Sequence, residues 1–309
     1  MAPRMPPVVD DALELIGGTP LVRLAQLSPP EGATVWAKLE SQNPAGSVKD
    51  RPALAMVCAA EAAGVLTKGA TIVEATSGNT GISLAMIAAV RGYRCVLVMP
   101  EDMSLERRYL VRAYGAEIVL TPAAEGMAAA VDRARTIAEG TPHAFMPRQF
   151  ENPENPASHE RTTGVEIWEQ TGGELAAFVA GVGTGGTLTG VGHVLRERSG
   201  ATGATIEIVA VEPQASAVLS GQAPGMHGIQ GLGAGFVPAT LDRAVYDRVV
   251  TVTDVAAERM ARRIAREAGL VVGPSSGANV HAAAEVARRY PRGAKVVTIL
   301  CDSGERYLF

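Results

Sequence analysis

From residue 71 to residue 301 the sequence alternates between short apolar segments and longer helical patterns, and this alternation limits the fold more than any other feature. The predicted strands are residues 71–75, 94–99, 116–120, 175–180, 206–211, 249–253 and 295–301. The predicted helices are residues 82–90, 104–114, 126–138, 188–198, 255–268 and 278–290. Short apolar strands separated by helices are typical of an α/β fold, in which helices cover both faces of a mostly parallel sheet.

Residues 152–156, Asn-Pro-Glu-Asn-Pro, interrupt the alternation. Two X-Pro steps this close together predict a loop without regular structure. We therefore place a boundary between two α/β lobes at this loop, each lobe with its own twisted, mostly parallel sheet. Ligands of open α/β sheets bind beyond the carboxyl ends of the strands, so the turns that follow the predicted strands are the candidate sites.

The composition argues against several classes of function. The 309 residues carry a formal net charge of −4 and only 4% aromatic residues, which is not typical of a protein that binds nucleic acid. Three isolated cysteines, and five histidines without ligand spacing, indicate a reducing compartment and no metal site. The first eleven residues lack the apolar segment of a secretory signal, and no apolar stretch approaches the ~20 residues of a membrane span. We expect a cytoplasmic protein without membrane or nucleic-acid partners.

Lys49 lies where a breaker-rich loop becomes a helix, in the segment NPAGSVKDR of residues 43–51. Ser47 is the predicted N-cap, which places Lys49 in the first helical turn. The N–H groups of that turn disfavour an ammonium, so the pKa of Lys49 should be low. A lysine of low pKa is a nucleophile that can form a Schiff base. The alternative is a surface lysine whose amine extends into water.

The first turn, residues 76–81, follows a predicted strand and precedes a helix. Its members are small, and most are polar: Thr76, Ser77, Gly78, Asn79, Thr80 and Gly81. Backbone N–H groups and hydroxyls at a helix N-terminus can bind a carboxylate, and Asn79 adds a neutral amide donor. A tight turn with a Ser or Thr cap would explain the same residues.

The second turn, residues 183–187, contains Gly183, Thr184, Gly185, Gly186 and Thr187. Its three glycines allow the backbone to approach a phosphate closely, although no Lys-Ser/Thr pair follows as in a Walker A loop. A weak G-x-G-x-x-G also runs through Gly181, Gly183 and Gly186. Glu212 at the end of the next strand could then bind a ribose, so a dinucleotide site remains an alternative, as does a structural glycine turn.

The third turn, residues 273–277, places Ser275 before a helix. Taken alone, this serine would be a simple N-cap. Together with the other turns it offers a neutral hydroxyl to a ring nitrogen. A Schiff-base lysine, a phosphate site, a carboxylate site and neutral donors match pyridoxal 5'-phosphate, whereas a nicotinamide dinucleotide has no use for the lysine.

The chain resembles the cysteine synthases (O-acetylserine sulfhydrylases), which have fold type II of the pyridoxal-phosphate enzymes, similar to the tryptophan synthase β-subunit. The resemblance runs from about residue 13 to residue 308 and is carried by residues 43–51, 74–81, 149–156, 183–187, 227–238 and 303–308. It implies a transferase that replaces the acetate of O-acetyl-L-serine by sulfide in cysteine biosynthesis. It also implies a smaller mobile lobe of residues 45–154 and a larger lobe of residues 1–44 plus 155–309 that holds the cofactor phosphate.

The resemblance implies a role for each candidate residue. Lys49 forms the Schiff base with the cofactor and later moves the α-proton. Asn79 donates to the phenolic oxygen of the cofactor, and Ser275 faces its pyridine nitrogen. The phosphate is held by Gly183, Thr184, Gly185, Gly186 and Thr187. The substrate carboxylate is bound by Thr76, Ser77, Gly78, Thr80 and Gln149.

Motifs of two subtypes of the family occur together. Residues 74–94, 99–117 and 162–173 resemble the B type, which also accepts larger sulfur nucleophiles such as thiosulfate. Residues 183–187, 227–238 and 303–308 resemble the A type, which binds the C-terminal tail of serine acetyltransferase. The family is usually homodimeric. The alternatives are an O-phosphoserine sulfhydrylase or a cystathionine β-synthase on the same fold, or a non-catalytic dinucleotide-binding protein.

Overall fold

A computed structural model describes residues 8–76, 78–102 and 104–307 of the chain. Within these residues the strands are β1 (Leu21–Arg23), β2 (Thr34–Leu39), β3 (Thr71–Ala75), β4 (Arg94–Pro100), β5 (Glu117–Thr121), β6 (Ala144–Phe145), β7 (Ala177–Gly181), β8 (Glu207–Pro213), β9 (Arg248–Val252) and β10 (Lys295–Leu300). The α-helices are α1 (Asp50–Ala62), α2 (Asn79–Arg91), α3 (Leu105–Ala113), α4 (Gly126–Glu139), α5 (Glu154–His159), α6 (Val165–Thr171), α7 (Gly186–Thr202), α8 (Asp254–Ala268) and α9 (Pro274–Ala287).

The strands form two sheets, and the α/β class with mostly parallel sheets is confirmed. The smaller sheet has the order β5-β4-β3-β6 and is parallel throughout. The larger sheet has the order β1-β2-β10-β7-β8-β9, and only its β1–β2 pair is antiparallel. The strands β1 and β2 precede the smaller sheet in the sequence but pair into the larger one through β10. The lobe boundaries at residues 45 and 154 stay a prediction.

Both faces of each sheet are covered by apolar clusters. Side chains alternate between the two faces along a strand, so adjacent residues belong to different clusters. In β3, Ile72 and the adjacent Val73 lie in separate buried clusters. In β7, Phe178 and Val179 divide in the same way. This double burial is the reason that the strands read as continuous apolar runs in the sequence.

Three helices begin two to four residues earlier than predicted: α2 at Asn79, α7 at Gly186 and α9 at Pro274. The first N–H groups of a helix have no partner within the helix, so small polar residues, glycine and proline are tolerated there. Parts of all three turns therefore form the opening turn of a helix. Their N–H groups are directed beyond the helix end, which is the position that an anion would occupy.

The prediction of an irregular loop at residues 152–156 was wrong in its second half. Helix α5 begins at Glu154 and includes Pro156, which lies in the first turn where its missing N–H removes no hydrogen bond. A π-helical segment (Glu160–Gly164) connects α5 to α6, and none of these three elements was predicted from the sequence. Within the described residues no helix is long and apolar enough to cross a membrane.

Candidate active site

Lys49 is the residue that immediately precedes α1, so it lies just before the first helical turn in which it was predicted. Ser47 is not the N-cap. Its hydroxyl instead accepts the backbone N–H of Lys49 at 3.2 Å. The backbone N–H of Val48 donates to the carbonyl of Cys301 at 2.8 Å, and Ser47 pairs with Asp302, so the loop before α1 is held against the carboxyl end of β10.

The pKa of Lys49 is lowered, mainly because burial disfavours the ammonium, while attraction to Cys301 and Asp302 opposes the shift without cancelling it. The direction agrees with the expectation from the sequence. The larger cause is different, since desolvation rather than the helix terminus dominates. Burial also raises the pKa of the Cys301 thiol to about 11, so Cys301 attracts the ammonium only when that thiol is ionised.

A buried ionic network anchors the start of α1. Arg51 donates through Nε to Glu40 at 2.7 Å and through Nη1 to Glu166 at 2.6 Å. Glu166 also pairs with Lys38, whose side chain is fully buried, at 2.6 Å. The ion pairs lower the pKa of Glu166 to about 2, against the opposing effect of its burial. These contacts tie Arg51, two positions after Lys49, to α6 and to the residue that follows β2, and sequence reasoning missed them because the partners are distant in the chain.

The second turn has no space for side chains at two of its glycines. A Cβ at Gly183 would overlap the carbonyl oxygen of Gly231, and a Cβ at Gly186 would overlap Oδ1 of Asn155. Gly185 has φ +85°, a left-handed conformation that favours glycine, and a Cβ there would lie 2.7 Å from Leu241. The turn runs directly into the 17-residue helix α7, whose N-terminal N–H groups favour an anion.

His159 supports the second turn and was not among the predicted site residues. Its Nε2 lies 3.2 Å from the hydroxyl of Thr187, and its Nδ1 lies 2.9 Å from the hydroxyl of Thr163. Burial, followed by the charge of Arg51, lowers the pKa of His159 to about 3, so the imidazole is neutral. No spacing in the sequence indicates this contact, because α5 and α7 meet only in the folded chain.

The dinucleotide alternative loses its ribose-binding acid in the structure. Glu212 is buried, and its carboxylate accepts the N–H of Leu219 at 2.7 Å, the N–H of Ser220 at 3.1 Å and the Ser220 hydroxyl at 2.6 Å. These contacts hold the loop after β8. The carboxylate is therefore committed to structure and is not directed at a ligand beside the second turn.

Asn79 begins α2 and has a fixed orientation. Its Nδ2 donates to Oδ2 of Asp302 at 2.6 Å, and its Oδ1 accepts from Nη1 of Arg306 at 2.6 Å. The hydroxyl of Tyr307 donates to the same Asp302 oxygen at 2.6 Å. An amide nitrogen carries two hydrogens, so one donor of Asn79 remains for a ligand. Asp302, Arg306 and Tyr307 were not predicted to support the site.

Ser275 lies in the first turn of α9, and its side chain is buried. A Cβ at Gly231 would lie 3.6 Å from the Ser275 oxygen, so the serine faces the loop that packs over the second turn. A hydrogen bond with Ser275 lowers the pKa of Cys301, although the effect of burial on this thiol is larger. The serine thus offers a neutral hydroxyl, as the sequence indicated.

The predicted carboxylate site consists of side chains that bind one another. The hydroxyl of Thr80 donates to Oε1 of Gln149 at 2.6 Å, although the two residues are 69 positions apart. The N–H of Gly78 donates to the Thr76 hydroxyl at 3.3 Å. Ser77, which was also predicted for this site, lies outside the described residues.

One cleft with about 520 Å³ of empty space joins most of the predicted cofactor residues. Its lining includes Lys49, Asn79, Gly183, Thr184, Gly185, Thr187 and Ser275. Gly186, Thr76, Gly78, Thr80 and Gln149 are not part of this lining. Asn79 borders both the cleft and the carboxylate site, because it follows Gly78 and precedes Thr80.

The cleft fits pyridoxal phosphate by its chemistry. It supplies an amine of lowered pKa for an aldehyde, a glycine-rich helix N-terminus for a phosphate and a neutral hydroxyl for a ring nitrogen. Oδ1 of Asp302 is buried in the lining without a hydrogen-bond partner among the described residues, so the polar wall has capacity for a further donor. In the described part of the chain no cluster of His, Cys, Asp or Glu side chains could hold a metal ion.

Comparison with known proteins identifies the family. Residues 12–302 match the family model of the pyridoxal-phosphate-dependent enzymes. The cysteine synthase of Staphylococcus aureus (strain N315) is 52% identical over 301 residues, which cover 97% of this chain and 96% of that protein. The structure is similar to that of an O-ureido-L-serine synthase, with a TM-score of 0.93, 47% identity and coverage of 98% of this chain and 94% of that one. It is also similar to a cysteine synthase from Entamoeba histolytica, with a TM-score of 0.94, 41% identity and coverage of 100% and 92%. This chain therefore belongs to the family of pyridoxal-phosphate-dependent enzymes, and pyridoxal phosphate is its cofactor.

Proposed function

We propose that this protein is a cysteine synthase, which replaces the acetate of O-acetyl-L-serine by sulfide to form cysteine. The observation that carries the proposal is one cleft in which Lys49, with a lowered pKa, lies with the second turn and Ser275. The similarity of the whole chain to cysteine synthases supports the choice of reaction within the family.

We assign cofactor binding to the residues predicted from the sequence: Lys49, Asn79, Gly183, Thr184, Gly185, Gly186, Thr187 and Ser275. The second turn and the N-terminus of α7 bind the phosphate, with Thr187 oriented by His159. Bound pyridoxal phosphate supplies an electron sink for the substrate carbon that loses its proton.

Lys49 moves the α-proton in this proposal. Burial lowers the pKa of its amine and so favours the neutral form, which can accept the proton at the α-carbon and return it when the product forms. Ser275 influences the choice of reaction. A neutral hydroxyl does not hold a proton on a ring nitrogen as a carboxylate would, which favours loss of the β-substituent over transamination.

Thr76, Ser77, Gly78, Thr80 and Gln149 are proposed to bind the substrate carboxylate. The Thr80 hydroxyl occupies Oε1 of Gln149, and the amide NH₂ of Gln149 therefore remains as the donor. The N-terminus of α2 adds backbone N–H groups and a favourable dipole. The carboxylate and the cofactor phosphate thus each lie at the start of a helix.

The test is a product assay on purified holoenzyme. O-acetyl-L-serine with sulfide should give cysteine, and the Lys49→Ala variant should give none. Parallel reactions with O-phosphoserine and sulfide, with serine and homocysteine, and with O-acetyl-L-serine and thiosulfate test the same-fold alternatives. Faster turnover of O-phosphoserine, or of serine with homocysteine, would replace the proposed reaction by the corresponding alternative.

The resemblance also supports proposals about partners and location. We propose a homodimer, which light scattering of the purified protein would test. We propose that the carboxylate site accepts the C-terminal tail of serine acetyltransferase, and a synthetic tail peptide should then compete with O-acetyl-L-serine. The sparse, unpaired cysteines support a cytoplasmic location.

A further inference from the structure

We infer that Glu74 is a positioning residue for substrate binding: its buried carboxylate holds the backbone of the loop that carries Gln149 and so directs the Gln149 amide at the substrate carboxylate. The inference rests on the proposed function, because it takes the role of Gln149 from there. Glu74 does not touch the cleft, and the resemblance implies no role for it.

Glu74 is a carboxylate in the middle of a buried sheet. It lies in β3, every residue of which is buried, and one residue, Ala75, separates it from the first turn. An unpaired carboxylate at such a position would be strongly unfavourable. Its Oε2 accepts the backbone N–H of Arg148 at 3.0 Å, and the neighbouring N–H of Gln149 helps to lower its pKa. The carboxylate therefore binds the loop that follows β6, the strand next to β3.

That loop contains a strained residue at the position that Glu74 holds. Arg148 has φ +54°, and His143 is the only other non-glycine residue with positive φ in the described part of the chain. A side chain rarely adopts this conformation unless its surroundings enforce it. Arg148 directly precedes Gln149, so its strained backbone conformation sets the direction of the Gln149 backbone. The carboxylate of Glu74 holds the N–H of Arg148, while the N–H groups of residues 151–152 donate to the Arg148 carbonyl.

Gln149 is then fixed from three elements. Glu74 in β3 binds the backbone N–H of the preceding residue, Arg148, at 3.0 Å, Nδ2 of Asn155 in α5 donates to the Gln149 carbonyl at 2.7 Å, and the hydroxyl of Thr80 in α2 donates to its Oε1 at 2.6 Å. Within the Gln149 side chain, the amide NH₂ then remains to bind a ligand. Glu74 is the only charged member of this set, so it should supply the strongest of the three contacts.

The charge of Glu74 makes the arrangement sensitive to pH. Burial raises its pKa to about 7, against the backbone N–H groups of Arg148 and Gln149 and the charge of Arg148, while Glu151 raises it further. Cys95 on β4 also faces it, and that thiol is neutral because burial, with the Glu74 charge, raises its pKa to about 12. The ionised carboxylate accepts the N–H of Arg148 without offering a competing donor. Binding of the substrate carboxylate should therefore strengthen as the pH rises through 7.

The test uses holoenzyme of Glu74→Gln, alone and with Arg148→Gly. Glu74→Gln should raise the KM for O-acetyl-L-serine about tenfold while kcat stays within about threefold, as expected for loss of a charge-assisted contact that positions a binding group. Arg148→Gly relieves the strain, so the double variant should return the KM to within about threefold of the original protein. The rise in affinity between pH 6 and 8 should disappear in Glu74→Gln.

Two matched double variants separate positioning from stability. Glu74→Gln with Arg148→Ala removes the guanidinium but keeps the strain, and Glu74→Gln with His143→Gly relieves strain at the other positive φ. Neither should restore the KM. Restoration by His143→Gly, or an unchanged KM in Glu74→Gln, would overturn the inference. If Glu74→Gln does not fold, Glu74→Asp keeps the charge but withdraws it from the loop, and its KM should also rise and respond to Arg148→Gly.

A second measurement distinguishes this inference from the proposed reaction. Calorimetric titration of the holoenzymes with L-alanine, an α-amino acid without a leaving group, reports on the carboxylate site whatever the reaction is. If the original protein makes no cysteine but L-alanine binding follows the predicted pattern, the proposed function fails and the positioning role stands. If cysteine is made but neither KM nor L-alanine affinity responds to Glu74→Gln, the positioning role fails alone.

Discussion

The first turn and the second turn both follow a buried parallel strand and lead into a helix, yet the surrounding structure holds them by different means. A backbone carbonyl of a distant loop lies so close to Gly183, and the Asn155 side chain so close to Gly186, that a Cβ at either glycine would overlap them. Around the first turn, a Cβ at Gly78 would meet nothing within 4 Å, and the order there comes from side-chain hydrogen bonds such as Thr80–Gln149.

The difference corresponds to two ways of binding an anion. Excluded volume in the second turn fixes the backbone N–H groups before any ligand arrives, which suits a cofactor that stays bound. Directional hydrogen bonds in the first turn can be made and broken, which suits a substrate that enters and leaves. Substitutions in either turn, or at Lys49 and Asp50 beside them, can break or sharpen this comparison.

Lys49, which lies between the two turns, should give the largest effect. Lys49→Ala removes both the Schiff-base amine and the general base, and cysteine formation should fall by at least about 10³-fold. Steady-state turnover and the absorbance of the bound cofactor check this result. Lys68→Ala, at an exposed lysine outside the cleft, is the control and should leave both unchanged. Substantial turnover in Lys49→Ala would remove Lys49 from the mechanism.

Gly186→Ala and Gly78→Ala compare the turns directly. Gly186→Ala forces a Cβ against Asn155 and should lower the free energy of unfolding by about 1–3 kcal/mol. Gly78→Ala places its methyl group in open space and should change the free energy of unfolding by less than about 0.5 kcal/mol. Denaturant unfolding measures both. Equal destabilisation would mean that the two turns do not differ in packing.

Asp50 connects the helix after Lys49 to the helix after the first turn, through a 2.5 Å hydrogen bond from Ser83. Burial raises its pKa to about 6, so the folded state holds this proton more tightly than the unfolded state does. The stability that Asp50 contributes is complete below about pH 4 and is lost as the pH rises through about 6. Between pH 4 and pH 7 the free energy of unfolding of the original protein should fall, relative to that of Asp50→Asn, by on the order of 1–3 kcal/mol. Denaturant unfolding of both proteins at both pH values measures this difference. A constant difference would show that the pKa of Asp50 is unshifted.

Thr80 tests the hydrogen-bonded side of the comparison and should give the smallest effect. Thr80→Val keeps the shape but removes the hydroxyl that orients Gln149, so the KM for O-acetyl-L-serine should rise about fivefold. Thr80→Ser keeps the hydroxyl and should stay within about twofold. If valine and serine behave alike, the contact does not orient Gln149.

The predicted site residues that line the cleft lie at strand ends and helix starts. Lys49, Asn79, the second turn and Ser275 follow local rules of helix termini and glycine, and the cleft brings them together. The supporting residues did not follow such rules. His159, Asp302 and Glu40 act through contacts with residues at least 11 positions away, and no local pattern distinguishes them from ordinary buried polar residues. Helix α5 was missed because the rule against proline does not apply in a first turn.

The sequence by itself determined the α/β class, the order of most strands and helices, and the small-residue turns, because these depend on side-chain periodicity and on the local freedom of glycine. The tertiary structure decided which turns share a cleft, what mainly lowers the pKa of Lys49 and which carboxylates can face a ligand. Glu212 and Glu74 show the reason. In the sequence both are acids at or near a strand end. The packing around them commits Glu212 to the loop after β8 and places Glu74 against the backbone that precedes Gln149. Burial and hydrogen-bond geometry depend on residues far apart in the chain, so they exist only once the sheets have assembled.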